Sequence, residues 1–291
     1  MEGSAGKLPG SIFPLKGCSG IWYIFISGIK LKQLIVRKLF MDKINIPASN
    51  NLSPETLRNI REAYDIHGYY VLRNVFTEAE MELLKQEIKR LCRQHPELIT
   101  FENAVDGSNR KVMHKISNFL ECSPALMGTA QSPYFLSVVA AIFGEEAILC
   151  TDKINFKQPG GRGFLPHQDM SGIWQKYMTN IISIFISCEN ATVENGCLEI
   201  APGEHKKGIM SEYMQPIEAA AAQALPFEKL ETLPGDVIVF DGFAPHQSAP
   251  NFSAMGRSAI LFTYNKAAEG NFRPQFMKDF GLPGSGAAQK M

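Results

Sequence analysis

The sequence predicts a mainly β domain, a sandwich or barrel, with helices from the N-terminal half packed against it. Three observations carry this. Residues 147–157, 180–188, 197–201, 229–233, 236–241 and 257–264 are short runs of β-type composition. Turn-forming clusters such as "QPGGRG", "ENATVENG" and "LPGD" separate them. Upstream of residue 147 the apolar residues instead recur at helical spacing, and no linker-like stretch divides the halves.

Composition sets the outer bounds. With 291 residues, 45% hydrophobic and 20% charged, the chain is a globular protein with material for a sizeable core. Lys+Arg and Asp+Glu both total 29, so no overall field favours nucleic acid or an anionic membrane, although a local basic pocket remains compatible with this balance. The six cysteines are scattered and form no C-x-x-C pair, so reduced thiols and a cytoplasmic location are expected.

Residues 1–40 are unlike the rest. "GCSGIWYIFISGIKLKQLIVRKLF" mixes apolar residues with Lys30, Lys32, Arg37 and Lys38. Its apolar run falls short of the roughly 20 residues of a membrane-spanning helix, so stable membrane insertion is not expected. It also lacks a secretory cleavage pattern. The expectation is an atypical leader over 1–40, disordered or not native, before one domain over 41–291 opened by Met41; a targeting or membrane-surface segment is the other reading.

Within the domain, Ser53-Pro54-Glu55 reads as a helix start, with Leu57, Ile60 and Ala63 on one face. Gly68 then breaks the pattern ahead of a strand, Tyr69–Leu72. Thr77–Glu80 opens a second helix with Met81, Leu83, Leu84, Ile88 and Leu91 inward, ending before Pro96. Residues 97–127 are polar and mixed, and 133–143 read as a further helix.

Chemistry gathers around histidine. His67 and His95 sit at helix ends and His205 in a loop, where structural roles suffice; His114 stands among cations and is left open. "GFLPHQDMSG" places His167 and Asp169 two apart, and "GDVIVFDGFAPHQSAPN" places His246 after a distant strand. Two imidazoles and one carboxylate form the facial set that holds non-haem Fe(II) and leaves coordination positions open. Zinc accepts the same donors, so a zinc-dependent hydrolase is the competing reading. Arg257 and Ser248 flank His246 in a way that suits a dicarboxylate: the guanidinium pairs bidentately with its far end while the near end chelates the metal.

"HQD" at 167–169, "ENGCLEIAPGEHKKG" at 194–208, "LPGDVIVFDGFAPHQSAPNFS" at 233–253 and Arg257 resemble the phytanoyl-CoA dioxygenase family of Fe(II)/2-oxoglutarate oxygenases. "GYYVLRNVFTEAEMELLKQEI" resembles that family's opening strand and helix, so the likeness covers about residues 52–266. It implies a double-stranded β-helix (jelly-roll) core, iron on His167, Asp169 and His246, and 2-oxoglutarate against Arg257 and Ser248. Thr151, Lys153 and Asn155, on one face of their strand by alternation, resemble family positions that reach cosubstrate or substrate. Phe185 is expected either to wall the cosubstrate pocket or to be an ordinary core aromatic.

The chemistry implied is O2-dependent decarboxylation of 2-oxoglutarate to succinate and CO2, coupled to hydroxylation of an unactivated C–H bond. The substrate-facing residues implied are Gln168, Trp174 and Tyr177 after the His-x-Asp turn, with a basic patch of Arg110, Lys111, His114, Lys115 and Lys153. A small polar or anionic molecule is expected, 2-aminoethylphosphonate or a related organophosphonate being the candidate. An amino-acid derivative, a secondary metabolite or an acyl-CoA is the alternative. The sequence leaves the oligomeric state open.

Overall fold

Local signals start the helices where the sequence places them. In the computed structural model, which describes residues 52–280, Ser53 accepts a hydrogen bond from the Thr56 amide at 3.0 Å and Pro54 opens helix α1, Pro54–His67. Gly68 ends it in the left-handed conformation at φ 78° and turns the chain into β1, Tyr69–Leu72. A reciprocal capping box between Thr77 and Glu80 opens α2, Glu78–Gln94, which buries Met81, Leu84, Ile88 and Leu91. The expectation for residues 1–40 lies outside the described residues.

The polar stretch 97–127 holds more structure than predicted. It forms β2, Ile99–Asn103, β3, Lys111–Ser117, and helix α3, Pro124–Ala130. Its cations hid the strands, since only Val112 and Ile116 of β3 are fully buried. Helix α4, Pro133–Phe143, follows as expected, packs against α1, and sets Phe135 6.0 Å from Phe76.

Two antiparallel sheets then face each other. The larger adds β4, Ala147–Lys157, β6, Ile182–Ser187, β9, Val237–Asp241, and β11, Arg257–Lys266, in the order β1-β9-β6-β11-β4-β3-β2. The smaller comprises β5, Phe164–His167, β7, Leu198–Ile200, β8, Glu228–Leu230, and β10, His246–Ser248, in the order β5-β10-β7-β8. Phe185, Ile238, Phe240, Ala259 and Leu261 of the large sheet meet Leu198 and Ile200 of the small one in a shared core. This is a double-stranded β-helix, the jelly-roll core expected. The sequence does not announce β5 and β10, because four and three residues are too short for a period of two to register, and β5 contains Pro166. Proline is tolerated there because β5 is an edge strand.

The C-terminal helix α5, Arg273–Phe280, is a further element the sequence did not predict. It is pinned by charge as well as packing. Arg273 reaches Asp152 of β4 at 2.7 Å and Glu121 at 2.9 Å, and Asp152 also accepts from the Phe119 amide at 2.7 Å. Burial raises the Asp152 carboxyl above its usual range, with Arg273 opposing. Arg273→Ala would strand that buried carboxylate. We expect a loss of about 3–5 kcal/mol, read as a lower urea midpoint, while Arg273→Lys should recover part of it. A midpoint unchanged in the alanine variant would show that the pair contributes nothing.

Candidate metal centre

The two sheets bring the separated residues together. β5 and β10 pair antiparallel with His167 directly opposite His246, so one ladder rung sets the imidazole rings 4.2 Å apart between centroids. Asp169 follows β5 on a single 3-10 turn, with its Oδ1 3.8 Å from His167 Nε2 and 3.9 Å from His246 Nε2. The donor atoms of the three residues lie within 4.8 Å of one another, close enough to bind one ion together.

The donors also have suitable states. Nδ1 of His167 lies 2.7 Å from the Leu165 carbonyl and Nδ1 of His246 3.0 Å from the Ala244 carbonyl. Those carbonyls can only accept, so each Nδ1 carries hydrogen and each Nε2 lone pair faces the cluster. Burial lowers the pKa of both histidines, more strongly for His246, where His167 adds to the effect. Burial alone would raise the Asp169 carboxyl, but Lys153, 3.9 Å away, and then the two histidines outweigh it and hold it below its ordinary value. Neutral imidazoles and an ionised carboxylate are the forms in which these groups ligate a metal.

Beside the cluster lies a pocket lined by Asn155, Lys157, Phe164, Phe185, Ser248 and Arg257, among others. Two glycines let its walls close. A Cβ at Gly163 would strike the Ser248 carbonyl, and one at Gly196, at φ 72°, would strike that of Ala249. Arg257 is 7% exposed; it donates to the Gly196 carbonyl, and its Nε finds no partner among the described residues. Burial lowers its pKa to about 10. A buried guanidinium with a spare donor is suited to a carboxylate.

Of the residues singled out in the sequence, His167, Asp169 and His246 converge, while Asn155, Lys153, Phe185, Ser248 and Arg257 line the adjoining pocket. Thr151 is displaced from it. It pairs with Thr263, whose hydroxyl is 3.2 Å from Ser183, the residue behind Asp169.

The substrate-facing set is largely corrected. Gln168 is 1% exposed and its amide is fully used, donating to the Gly208 and Phe243 carbonyls and accepting from the Met210 amide. Trp174 stacks on Phe276 at 4.5 Å and the Tyr177 hydroxyl donates to Asp279, so both hold the C-terminal helix. Arg110 is exposed and bound to Asp106 and the Pro159 carbonyl; Lys111 is exposed at the start of β3. His114 faces Glu102 at 3.2 Å and rests on Phe164.

Lys115 and Lys153 remain near the cluster. Burial lowers the Lys115 pKa to about 8, with repulsion from Lys153 adding and attraction to Asp169 opposing. Sequence reasoning missed Lys157 and Phe164. The alternation that selects residues 151, 153 and 155 continues to Lys157, so that signal was present.

A jelly roll that sets two histidines and a carboxylate beside a buried arginine defines the class of non-haem iron oxygenases that consume 2-oxoglutarate. Comparison with known proteins agrees. The phytanoyl-CoA dioxygenase (PhyH) family model matches residues 64–259, and the chain belongs to that family. It is an Fe(II)- and 2-oxoglutarate-dependent dioxygenase, and the zinc-hydrolase alternative is not favoured.

Among its relatives, a 2-aminoethylphosphonate dioxygenase of an uncultured bacterium is 34% identical over 62% of this chain and 68% of its own length. A methylphosphonate hydroxylase of Gimesia maris is 31% identical over 73% of this chain and 82% of its own. The fold is shared with the α-ketoglutarate-dependent carbocyclase SnoK of nogalamycin biosynthesis, at TM-score 0.64 and 20% identity over 75% of this chain and 85% of that one. EctD from S. alaskensis, solved with 2-oxoglutarate and 5-hydroxyectoine, aligns at TM-score 0.63 and 22% identity over 76% and 79%.

Proposed function

We propose that the protein hydroxylates a small organophosphonate, of the size and charge of 2-aminoethylphosphonate, with iron held by His167, Asp169 and His246. Ferrous iron in such a set, given 2-oxoglutarate and O2, supplies a decarboxylative oxidation that installs a hydroxyl on a C–H bond. The chain's own groups do the positioning. Arg257 takes the far carboxylate of 2-oxoglutarate, Ser248 and Asn155 add polar contacts, and Phe185 packs along its carbon chain. Lys153, 3.9 Å from Asp169, and half-buried Lys115 meet the anionic end of the substrate.

The observation that supports this reading most is the convergence of the three donors beside the buried Arg257 pocket. The phosphonate assignment is supported by the two phosphonate-acting relatives and by the two lysines at the cluster. Free thiols at Cys92, Cys122, Cys150, Cys188 and Cys197 support a cytoplasmic location, which imaging of a tagged protein in a secretory compartment would overturn. Balanced charge supports a small-molecule substrate rather than nucleic acid.

The test begins with anaerobic Fe(II) and 2-oxoglutarate, for which a weak visible charge-transfer band is expected. A folded protein without that band sinks the oxygenase assignment. Succinate release is then measured against 2-aminoethylphosphonate, methylphosphonate, proline and an acyl-CoA. Succinate in step with a hydroxylated phosphonate is expected, and turnover of the others alone refutes the substrate. Lys153→Met should lower kcat/KM for the phosphonate by about tenfold or more, as a lost bond to a charged group does, with the band retained.

A further inference from the structure

The pocket beside the cluster holds a second buried cation with no role in the assignments above. Lys157 is 2% exposed and lies opposite Arg257 in the β4–β11 register, so two positive side chains share one wall. Its Nζ donates to Ser248 Oγ and to the Ala249 carbonyl, each at 2.6 Å, and lies 5.7 Å from the centre of the Phe164 ring. All three partners are neutral. Among the described residues neither Lys157 nor Arg257 has a carboxylate within 4.0 Å.

Burying one unpaired cation is costly, and burying two side by side adds their repulsion. Packing does not require it, since a methionine would fill similar volume without charge. An arrangement so unfavourable by itself is explained by an anion that both cations share. The hydrogen bond to Ser248 adds direction. Because Ser248 Oγ accepts from Lys157, its own O–H is free to donate to a ligand.

We propose that Lys157 is the second cation of the 2-oxoglutarate anchor: with Arg257 it neutralises the distal carboxylate, and it orients the Ser248 hydroxyl as a third donor. This rests on the 2-oxoglutarate assignment made above. Its consequence is selectivity. The lysine contributes to binding of a keto acid that carries a distal carboxylate and nothing to binding of one that lacks it.

The test is calorimetric titration of the Fe(II)-loaded protein without oxygen, using 2-oxoglutarate and, separately, pyruvate. Lys157→Met is expected to raise the 2-oxoglutarate Kd about 10- to 100-fold and to leave the pyruvate Kd within about twofold. Lys157→Arg should restore part of the loss. A parallel fall for both keto acids assigns Lys157 a purely structural role, and an unchanged 2-oxoglutarate Kd overturns the inference outright. Failure of the wild type to bind 2-oxoglutarate would instead remove the underlying assignment.

If the variants do not fold, the wild type still decides. Burial and Arg257 lower the Lys157 pKa to about 7, and a bound carboxylate would raise it. The 2-oxoglutarate Kd should therefore climb between about pH 7 and 9 while that of pyruvate does not. The other ionisable groups acting on Lys157 are Arg257, Glu102, Cys197 and Glu199. A flat profile for 2-oxoglutarate over that range contradicts the proposal.

Discussion

His246→Ala is expected to abolish succinate formation and, with it, the anaerobic Fe(II)–2-oxoglutarate band. The imidazole is 6% exposed, held by the Ala244 carbonyl at Nδ1 and aimed at Asp169 through Nε2. Alanine removes one of the three donors, and among the described residues no further His, Cys, Asp or Glu joins the cluster. Mutating even an outer partner of a metal ligand typically costs about 10- to 100-fold, so losing the ligand should exceed a thousandfold. His67→Ala serves as the control, since that residue sits exposed at the end of α1, outside the cluster, and should retain full turnover. Circular dichroism separates loss of metal from loss of fold. Activity persisting in a folded His246→Ala protein would remove His246 from the centre.

Arg257→Ala is expected to act on 2-oxoglutarate rather than on the metal. Truncating one partner of a buried charge pair costs about 2–5 kcal/mol, equivalent to at least about a 30-fold rise in the 2-oxoglutarate requirement. Iron affinity should stay near the wild-type value. Arg257→Lys should rescue poorly, because a point charge cannot make the two parallel bonds of a guanidinium. The fold should tolerate both changes, since among the described residues the Arg257 side chain bonds just the Gly196 carbonyl. A 2-oxoglutarate requirement unchanged in Arg257→Ala would place the keto acid elsewhere.

The two effects differ because the residues act on different partners. His246 would supply a lone pair to the ion, and among the described residues no further His, Cys, Asp or Glu stands at the cluster to replace it. Arg257 shares its pocket with Lys157, so part of the positive field survives its removal. The double variant Arg257→Ala with Lys157→Met should therefore lose more 2-oxoglutarate affinity than the sum of the single losses, since each single variant leaves one cation behind.

By itself the sequence determined the β-rich class, the capped helices of the N-terminal half, the long strands of the large sheet and the identity of the three candidate ligands with Arg257 and Ser248. These are legible because caps, alternation and a His-x-Asp pair are local signals, each readable within a few residues. The tertiary structure alone decided which polar side chains face the site. Gln168, Trp174 and Tyr177 sit next to Asp169 in sequence, yet their partners are backbone carbonyls at 208 and 243 and the helix at 273–280. Nothing local in the sequence separates Lys157 from other strand lysines; pairing with β11 sets it opposite Arg257 in a buried pocket. The reason is physical: a side chain's chemistry depends on which distant backbone reaches it and how much water remains, and both are set by sheet pairing, which local pattern does not encode.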